Sequence, residues 1–326
     1  MVTLITGGTG FVGANLVKEL AINGHEVVSM DLSPPDALMS RFIADVSTNI
    51  TFVTGDILDQ QFLDNIQKTY EIDRIIHAAV YTVNQMDLEI EKSREIIDIN
   101  VMGTTNLLEL ARKMQVKRFV YVSSGAAYGL AAEPDQTFNE NAVPLPDFLY
   151  GITKYTSELI TRRYSELHNF SSVSIRLSTP YGPMERVTNH RSVMSVFHQW
   201  TKAALNGGTI ELSNPHMGRD YTYVSDIAEG VRIVLDAPEL AHDLYNVTAG
   251  RWISYSEIIE SLRNIIPSVN IMVNNSNQST IRSSEPTRGP LSSHRLNQDL
   301  GWVPQYDLDA GLNDYINWSK TCENLD

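Results

Sequence analysis

Up to Pro180 the chain alternates two patterns of apolar and polar positions. Short runs of consecutive apolar and β-branched residues occur at VTLIT (2–6), EVVSM (26–30), ITFVTG (50–55), RIIHAA (74–79) and RFVYVSS (118–124). Between them lie stretches such as FVGANLVKELAIN (11–23) and INVMGTTNLLELARKMQ (99–115), whose apolar residues recur at the spacing of a helix face. Strands that are apolar along their whole length are buried on both sides, with the intervening helices as cover. The pattern therefore predicts an α/β fold with a doubly wound parallel sheet. A sixth strand, SSVSIRL (171–177), follows a helix expected to begin near Phe148. Beyond Pro180 the rhythm breaks into shorter elements separated by loops rich in Gly, Pro and Asn. This places one domain at residues 1–178 and a smaller lobe at 179–326. A segment around 223–250, containing LYNVTAG, is expected to rejoin the main sheet.

Composition narrows the function classes. Of the 326 residues, 42% are hydrophobic and 20% charged, and the formal net charge is −14. A surplus of that sign argues against nucleic acid as the main ligand. The single cysteine, Cys322, allows no disulfide within the chain, which suits a reducing compartment. The opening MVTLITGGTG lacks the basic segment of a signal peptide, and no apolar run reaches the ~18 residues of a membrane span. A soluble, cytoplasmic protein with no membrane partner is expected.

The first strand runs directly into GGTGFVG, with Gly7, Gly10 and Gly13 at the opening of a helix whose first turn carries Phe11 and Val12. Such a turn brings backbone N–H groups to a pyrophosphate at a helix N-terminus. Three glycines alone would fit any tight turn, but this βαβ unit closes on Asp31, 24 residues after Gly7. A carboxylate there can accept hydrogen bonds from adenosine ribose hydroxyls. It also repels a 2′-phosphate, and the following LSPPDALMS has no Arg or Lys, so NAD is favoured over NADP. Asp56, in GDI with Ile57, either faces the adenine or caps the next helix.

SSGAAYG (123–129) delivers two hydroxyls to a strand end with no histidine, cysteine or carboxylate beside them. A base is available in LYGITKYTSE, where Tyr150 and Lys154 stand four apart and share one helix face. Alone, that pair could be an ordinary solvated one. Free tyrosine titrates near pH ~10, so acting as a base near neutrality requires an adjacent positive charge. An ammonium and an oxidised nicotinamide both have the right sign. Hydride transfer from carbon then needs one base and one hydroxyl anchor, and no carboxylate. The eight histidines show no metal-ligand spacing, His77 reads as structural, and no metal is expected.

The ordered set TGGTGFVG, Asp31, GDI, HAA, NVMGTTNLLELA, VSSGAAYG, YGITKYTSE, RLSTPYGP, RDYTYVSDIA and DLGWVPQYDLDAGL resembles the extended short-chain dehydrogenases/reductases, the NAD-dependent epimerase/dehydratase group. The resemblance implies a Rossmann-type domain holding NAD, with Tyr150 as base and Lys154 on the nicotinamide ribose. It implies Ser124 as the catalytic hydroxyl in preference to Ser123. Ala78, Ala79 and Val80 match a cofactor-lining turn, and Asn100 falls in its NVxGT segment. Gly125 and Ala126 occupy positions where the dehydratases carry Asp-Glu, which disfavours dehydration and decarboxylation. Thr179 stands where nucleotide-sugar enzymes usually carry an asparagine, and 288–299 is short against the family's nucleotide-contacting segment. For the substrate, Arg219 matches a phosphate-contacting position, with Arg288 as a weaker candidate. Arg186, His190 and Arg191 form a possible anion-binding loop whose alternative is a solvated one, as a salt bridge to Asp220 is for Arg219. The expected function is an NAD-dependent sugar epimerase acting through a keto intermediate, with a nucleotide sugar or anionic sugar as substrate. The rivals are a net dehydrogenase or ketoreductase of a sugar, sugar acid or related alcohol, and a non-catalytic NAD-binding sensor. The family's helix pairing implies a homodimer.

Overall fold

A computed structural model describes residues 1–83, 85–130, 136–188, 190–191, 194–212, 214–273 and 289–322. In chain order the strands are β1 (Val2–Thr6), β2 (Glu26–Asp31), β3 (Ile50–Thr54), β4 (Arg74–His77), β5 (Arg118–Ser124), β6 (Ser171–Leu177), β7 (Thr179–Tyr181), β8 (Thr209–Leu212), β9 (Gly218–Tyr223), β10 (Leu244–Val247), β11 (Trp252–Ser254) and β12 (Asn270–Val273). The helices are α1 (Phe11–Ile22), α2 (Ala37–Phe42), α3 (Gln60–Thr69), α4 (Met86–Ile97), α5 (Gly103–Met114), α6 (Leu149–His168), α7 (Val196–Leu205), α8 (Val224–Asp236), α9 (Tyr255–Ile265), α10 (His294–Leu300) and α11 (Leu308–Cys322).

Seven of these strands form one parallel sheet in the order β10-β6-β5-β4-β1-β2-β3. The order reverses direction between β1 and β4. The carboxyl ends of those two strands therefore open the crevice in which doubly wound folds bind ligands. One face is covered by α1 and α8, whose Leu16, Val17, Leu20, Val231 and Val234 pack with Val120 and Ile175 of the sheet. The other face buries Leu4, Ile75 and Phe119 under Leu107, Leu108 and Ala111 of α5 and Ile66 of α3. The outermost strand, β10, comes from beyond residue 178, inside the stretch expected to return.

A second core gathers Tyr181, Phe197, Trp200, Tyr221, Tyr223, Ile258, Leu312 and Tyr315 around the three-stranded sheet β11-β9-β7. Strands β8 and β12 pair separately. Among the described residues no helix is long and apolar enough to cross a membrane, and no group of three or more possible metal ligands occurs.

One element differs from its expected form. The helix expected to begin at residue 99 starts at Met86 and reaches α5 through a π-helical turn at Asp98–Met102. Only Ile96 of α4 is fully buried, and exposed pairs such as Arg94–Asp98 (2.7 Å) support the rest. A helix held largely by surface charges has little apolar period to detect.

Candidate active site

The cleft over β1 and β4 has a volume of about 990 Å³. Its floor is the β1–α1 turn. Gly7 sits at φ +70°, and a Cβ there would lie 2.8 Å from the Ala79 backbone, so the turn presses against the segment following β4. Gly10, the N-cap of α1, offers no side chain to its helix, and the first-turn N–H groups of Phe11, Val12 and Gly13 belong to residues lining the cleft. Asp31 ends β2 and ties down the same turn, with Oδ2 accepting from Thr9 N–H (2.9 Å) and Oδ1 from Leu32 N–H (2.7 Å). Asp56, Ile57, Ala78, Ala79 and Val80 also line the cleft. Asp56 Oδ1 accepts from Leu58 N–H (2.8 Å), whereas the cap of α3 is Asp59, so Asp56 is not the helix cap considered from sequence. Backbone donors at an uncapped helix N-terminus, with a carboxylate at the end of the next strand, fit a dinucleotide.

Asn100 is 2% exposed, lies in the π-helical turn and is not among the residues lining the cleft. Its Oδ1 accepts from Tyr81 N–H (2.8 Å), while Nδ2 donates to the Tyr81 carbonyl (3.2 Å) and to Thr153 Oγ1 (3.1 Å). With its amide used inside the protein, Asn100 ties Tyr81, which follows the 78–80 turn, to the helix carrying Lys154. A buried chain continues from it. Thr104 Oγ1 donates to the Asn100 carbonyl (2.6 Å) and so accepts from His77 Nε2 (3.0 Å). His77 Nδ1 then accepts from Thr6 Oγ1 (2.7 Å), which itself accepts from Ala79 N–H (3.3 Å). Only the neutral Nε2–H tautomer satisfies every link. Burial, with Lys154 nearby, pushes the His77 pKa down to about 3.

Ser124, Tyr150 and Lys154 all line the same cleft. Gly151 lets α6 begin against the turn after Ser124, for a Cβ there would lie 2.6 Å from the Ala126 carbonyl oxygen. Ser124 Oγ accepts from Ala126 N–H (3.1 Å), leaving its own hydrogen to donate. Ser123 is committed elsewhere: its hydroxyl donates to Glu158, which forms a buried two-point pair with Arg176 (2.9 and 2.6 Å). Lys154 is buried, donates to the Val122 carbonyl (2.7 Å) and holds its ammonium 5.9 Å from the Tyr150 ring centroid. Burial lowers its pKa to about 7 against the opposing pull of Glu158. The four residues after Ser124 are Gly, Ala, Ala and Tyr, with no carboxylic acid among them.

The residues expected to read substrate do not gather in one place. Ser178 and Pro180 line the cleft, but Thr179 between them does not, as strand alternation dictates. Arg186 and Arg191 line it and reach the β1–α1 turn and the start of α1. Arg186 Nη2 donates to the Thr9 carbonyl (2.9 Å), and the Arg191 guanidinium lies 5.3 Å over the Phe11 ring. His190 lines the cleft with its ring edge-on to Tyr81 at 5.0 Å. Arg219, on β9, is not among the lining residues and already has an interaction within the protein. Its sequence neighbour Asp220 is buried, accepting from Thr248 Oγ1 and from Leu291 N–H (2.8 Å), and burial pushes its pKa up to about 6. Arg288 lies outside the described residues. Sequence reading missed the α4 wall, where Glu91 to Glu95 and Asp98 line the cleft, and the anchor Glu185. Glu185 is buried beside Pro183 and Arg186, and an isolated carboxylate in a loop gave no sign of that role.

Comparison with known proteins adds independent findings. The family model described as NAD dependent epimerase/dehydratase family matches residues 3–248. The UDP-glucose 4-epimerase of Halalkalibacterium halodurans is 28% identical over 98% of this chain and 96% of its own. The dTDP-D-glucose 4,6-dehydratase of Homo sapiens is 26% identical over 97% of this chain and 89% of its own. Among solved structures, an epimerase from the methanogen Methanothermobacter thermautotrophicus is similar at a TM-score of 0.84 and 26% identity, covering 99% of this chain and 93% of that one.

Proposed function

The chain belongs to the NAD-dependent epimerase/dehydratase family, and on that premise we propose that it epimerises a nucleotide sugar at a carbinol carbon. The observation that carries this reading is the sparseness of the chemistry around Ser124. The turn offers one hydroxyl donor, while the opening of α6 supplies Tyr150 and the buried Lys154. A dehydratase must also move a proton at a neighbouring carbon and expel water, which calls for further acid and base groups. Here those positions hold Gly125 and Ala126. The nucleotide-sugar class is supported by the relatives, one of which is a UDP-glucose 4-epimerase.

The β1–α1 turn, Asp31 and the 78–80 turn hold the cofactor, and Lys154 holds its nicotinamide ribose. Bound NAD would supply the hydride acceptor and, in its reduced form, the hydride donor. Tyr150 Oη takes the hydroxyl proton of the substrate as the carbonyl forms and gives it back on re-reduction. Ser124 Oγ–H donates to the same oxygen and fixes its place through both half-reactions. When protonated, Lys154 stabilises the Tyr150 phenolate electrostatically. One residue serving both as base and as acid suits a reaction with no net redox change.

The test is product analysis with the purified protein and a panel of UDP- and dTDP-sugars, with no NAD added. Isomer exchange without accumulated NADH supports the proposal. Net NADH with an oxidised sugar would convert the assignment to a dehydrogenase, and a deoxy-keto product to a dehydratase. We place the enzyme in the cytoplasm, where the cofactor and a free thiol are both at home. We also propose a homodimer. Met102 beside α5, with Ile152 and Leu159 of α6, is exposed at 47%, 42% and 40%, more apolar surface than two packed helices normally leave to water. Pairing these helices with those of a second copy would bury that surface. Light scattering at micromolar concentration should return twice the chain mass, and a monomer mass would overturn the pairing.

A further inference from the structure

Residues 183–188, 190 and 191 border the cleft and touch both of its lips. On the glycine-turn side, Asn15 Nδ2 donates to the Pro183 carbonyl (2.9 Å), Arg186 Nη2 to the Thr9 carbonyl (2.9 Å), and Arg191 stacks over Phe11. On the other side, Thr82 N–H donates to the His190 carbonyl (3.1 Å). Glu185 anchors the segment from beneath. Its buried carboxylate accepts from Arg191 Nη2 (2.7 Å), Ser195 N–H (2.7 Å) and Ser195 Oγ (2.6 Å).

Charge shows what this arrangement is for. A dinucleotide diphosphate carries two negative charges, and the N-terminus of α1 contributes about half a positive charge. No Lys or Arg occurs before Lys18, so the glycine turn itself is uncharged. Other cations lining the cleft are engaged elsewhere: Lys92 with Glu91 and Glu95, Arg94 with Asp98, and Lys154 at the Val122 carbonyl. Of the Lys and Arg side chains among the described lining residues, Arg186 and Arg191 alone touch the glycine turn or the first residue of α1. Each retains capacity for a ligand. Arg191 Nε is buried with no acceptor, and the carboxylate near Arg186, Asp36 at 3.2 Å, is half exposed and already caps α2. A buried donor without a partner is costly until something accepts from it.

We propose that Arg186 and Arg191 form the cationic side of the cofactor's diphosphate site, facing the N-terminus of α1. The glycine turn grips the diphosphate with backbone, and these two guanidinium groups grip it from above with charge-assisted hydrogen bonds. This departs from the substrate role expected of both residues. It rests on the chain's use of NAD and not on which sugar is turned over. A cofactor held from two sides leaves slowly, as a reaction that regenerates it in place requires.

The test compares Arg186→Gln, Arg191→Gln and the charge-keeping Arg191→Lys with wild type in the full chain. ADP-ribose, adenosine and UDP are titrated by calorimetry, and NADH release is followed by fluorescence. Each glutamine variant should lose ~10-fold or more in ADP-ribose affinity and release NADH correspondingly faster. Adenosine and UDP should move less than about twofold, the salt dependence of ADP-ribose binding should weaken, and Arg191→Lys should recover part of the loss. Three outcomes overturn the proposal. ADP-ribose affinity could stay unchanged, ADP-ribose and adenosine could weaken equally as in a damaged fold, or UDP could weaken in place of ADP-ribose. Product analysis decides the reaction separately, so net NADH formation would sink the epimerase reading and leave these affinities standing.

Discussion

The two walls of the cleft are built on different principles. The cofactor wall presents backbone: N–H groups of the β1–α1 turn, brought into reach because Gly7 has no side chain to strike Ala79. The opposite wall presents long side chains whose direction is set by partners distant in sequence. Arg186 meets Thr9 across 177 residues, and Arg191 stacks over Phe11. A wall of backbone needs small residues at fixed spacing and can be read from spacing. A wall of side chains cannot, because the same arginine may swing to either lip of a cleft.

The sharpest way to break the comparison is at Tyr150, which the backbone-built side delivers by local means: a helix start, a glycine and a four-residue spacing. Tyr150→Phe removes the hydroxyl proposed to move the proton and nothing else. Turnover should fall by ~10² or more, while the protein still purifies with NAD and keeps its melting temperature. A variant within tenfold of wild type would show that another group carries the proton, and the local reading would fail at its centre.

The next test leaves the cleft for the second sheet behind it, which is also held by contacts distant in sequence. Asp220 is buried and joins β9 to Thr248 and Leu291, and its pKa rises from 3.8 to about 6. An acid whose folded pKa is raised binds its proton more tightly in the native state. Its cost to stability is therefore fully present above about pH 6 and is relieved as pH falls toward the unfolded value. The relief is on the order of 3 kcal/mol. Asp220→Asn removes this titration yet can keep an acceptor for Thr248 and Leu291. Denaturant melts should show wild type gaining on the variant between about pH 7 and 5. A constant difference across that range would mean that Asp220 is not desolvated and that the packing around β9 is looser than its contacts imply.

These contrasts explain what was legible in the chain. The six strands up to Leu177 stand where apolar runs placed them, because strands buried on both faces leave no ambiguity of period. The helix at 86–97 was not legible, since ion pairs support it more than an apolar stripe does. Gly7 and Asp31 could be placed on one cleft because each lies at a strand end, and Tyr150 and Lys154 because they stand four apart at the start of one helix. Asn100 was read as a cofactor contact, yet the π-helical turn at 98–102 carries its amide inward to Tyr81 and Thr153. No residue pattern announced that turn. Thr179 fell off the cleft by strand alternation alone, which an alignment of motifs does not register.

The smallest expected effect sharpens the comparison at the seam between the walls. Asp31 accepts from Thr9 N–H and Leu32 N–H, so its carboxylate shapes the turn as well as opposing a 2′-phosphate. Leu32 is 47% exposed and lines the cleft beside it. Leu32→Arg alone should do little, because the carboxylate that repels the phosphate remains. Asp31→Asn alone should weaken NAD modestly, since an amide oxygen can still accept from Thr9 but poorly replaces a carboxylate toward a ribose diol. Only the double variant should bind NADP well, shifting the NAD-to-NADP affinity ratio by ~10-fold, a difference of about 1.4 kcal/mol. Titrations of both cofactors against all four proteins check this. If the ratio is unchanged in the double variant, the ribose is not read at Asp31 and the carboxylate serves only the turn. If Leu32→Arg alone shifts it, selection rests on side-chain charge, and the seam follows the logic of the opposite wall.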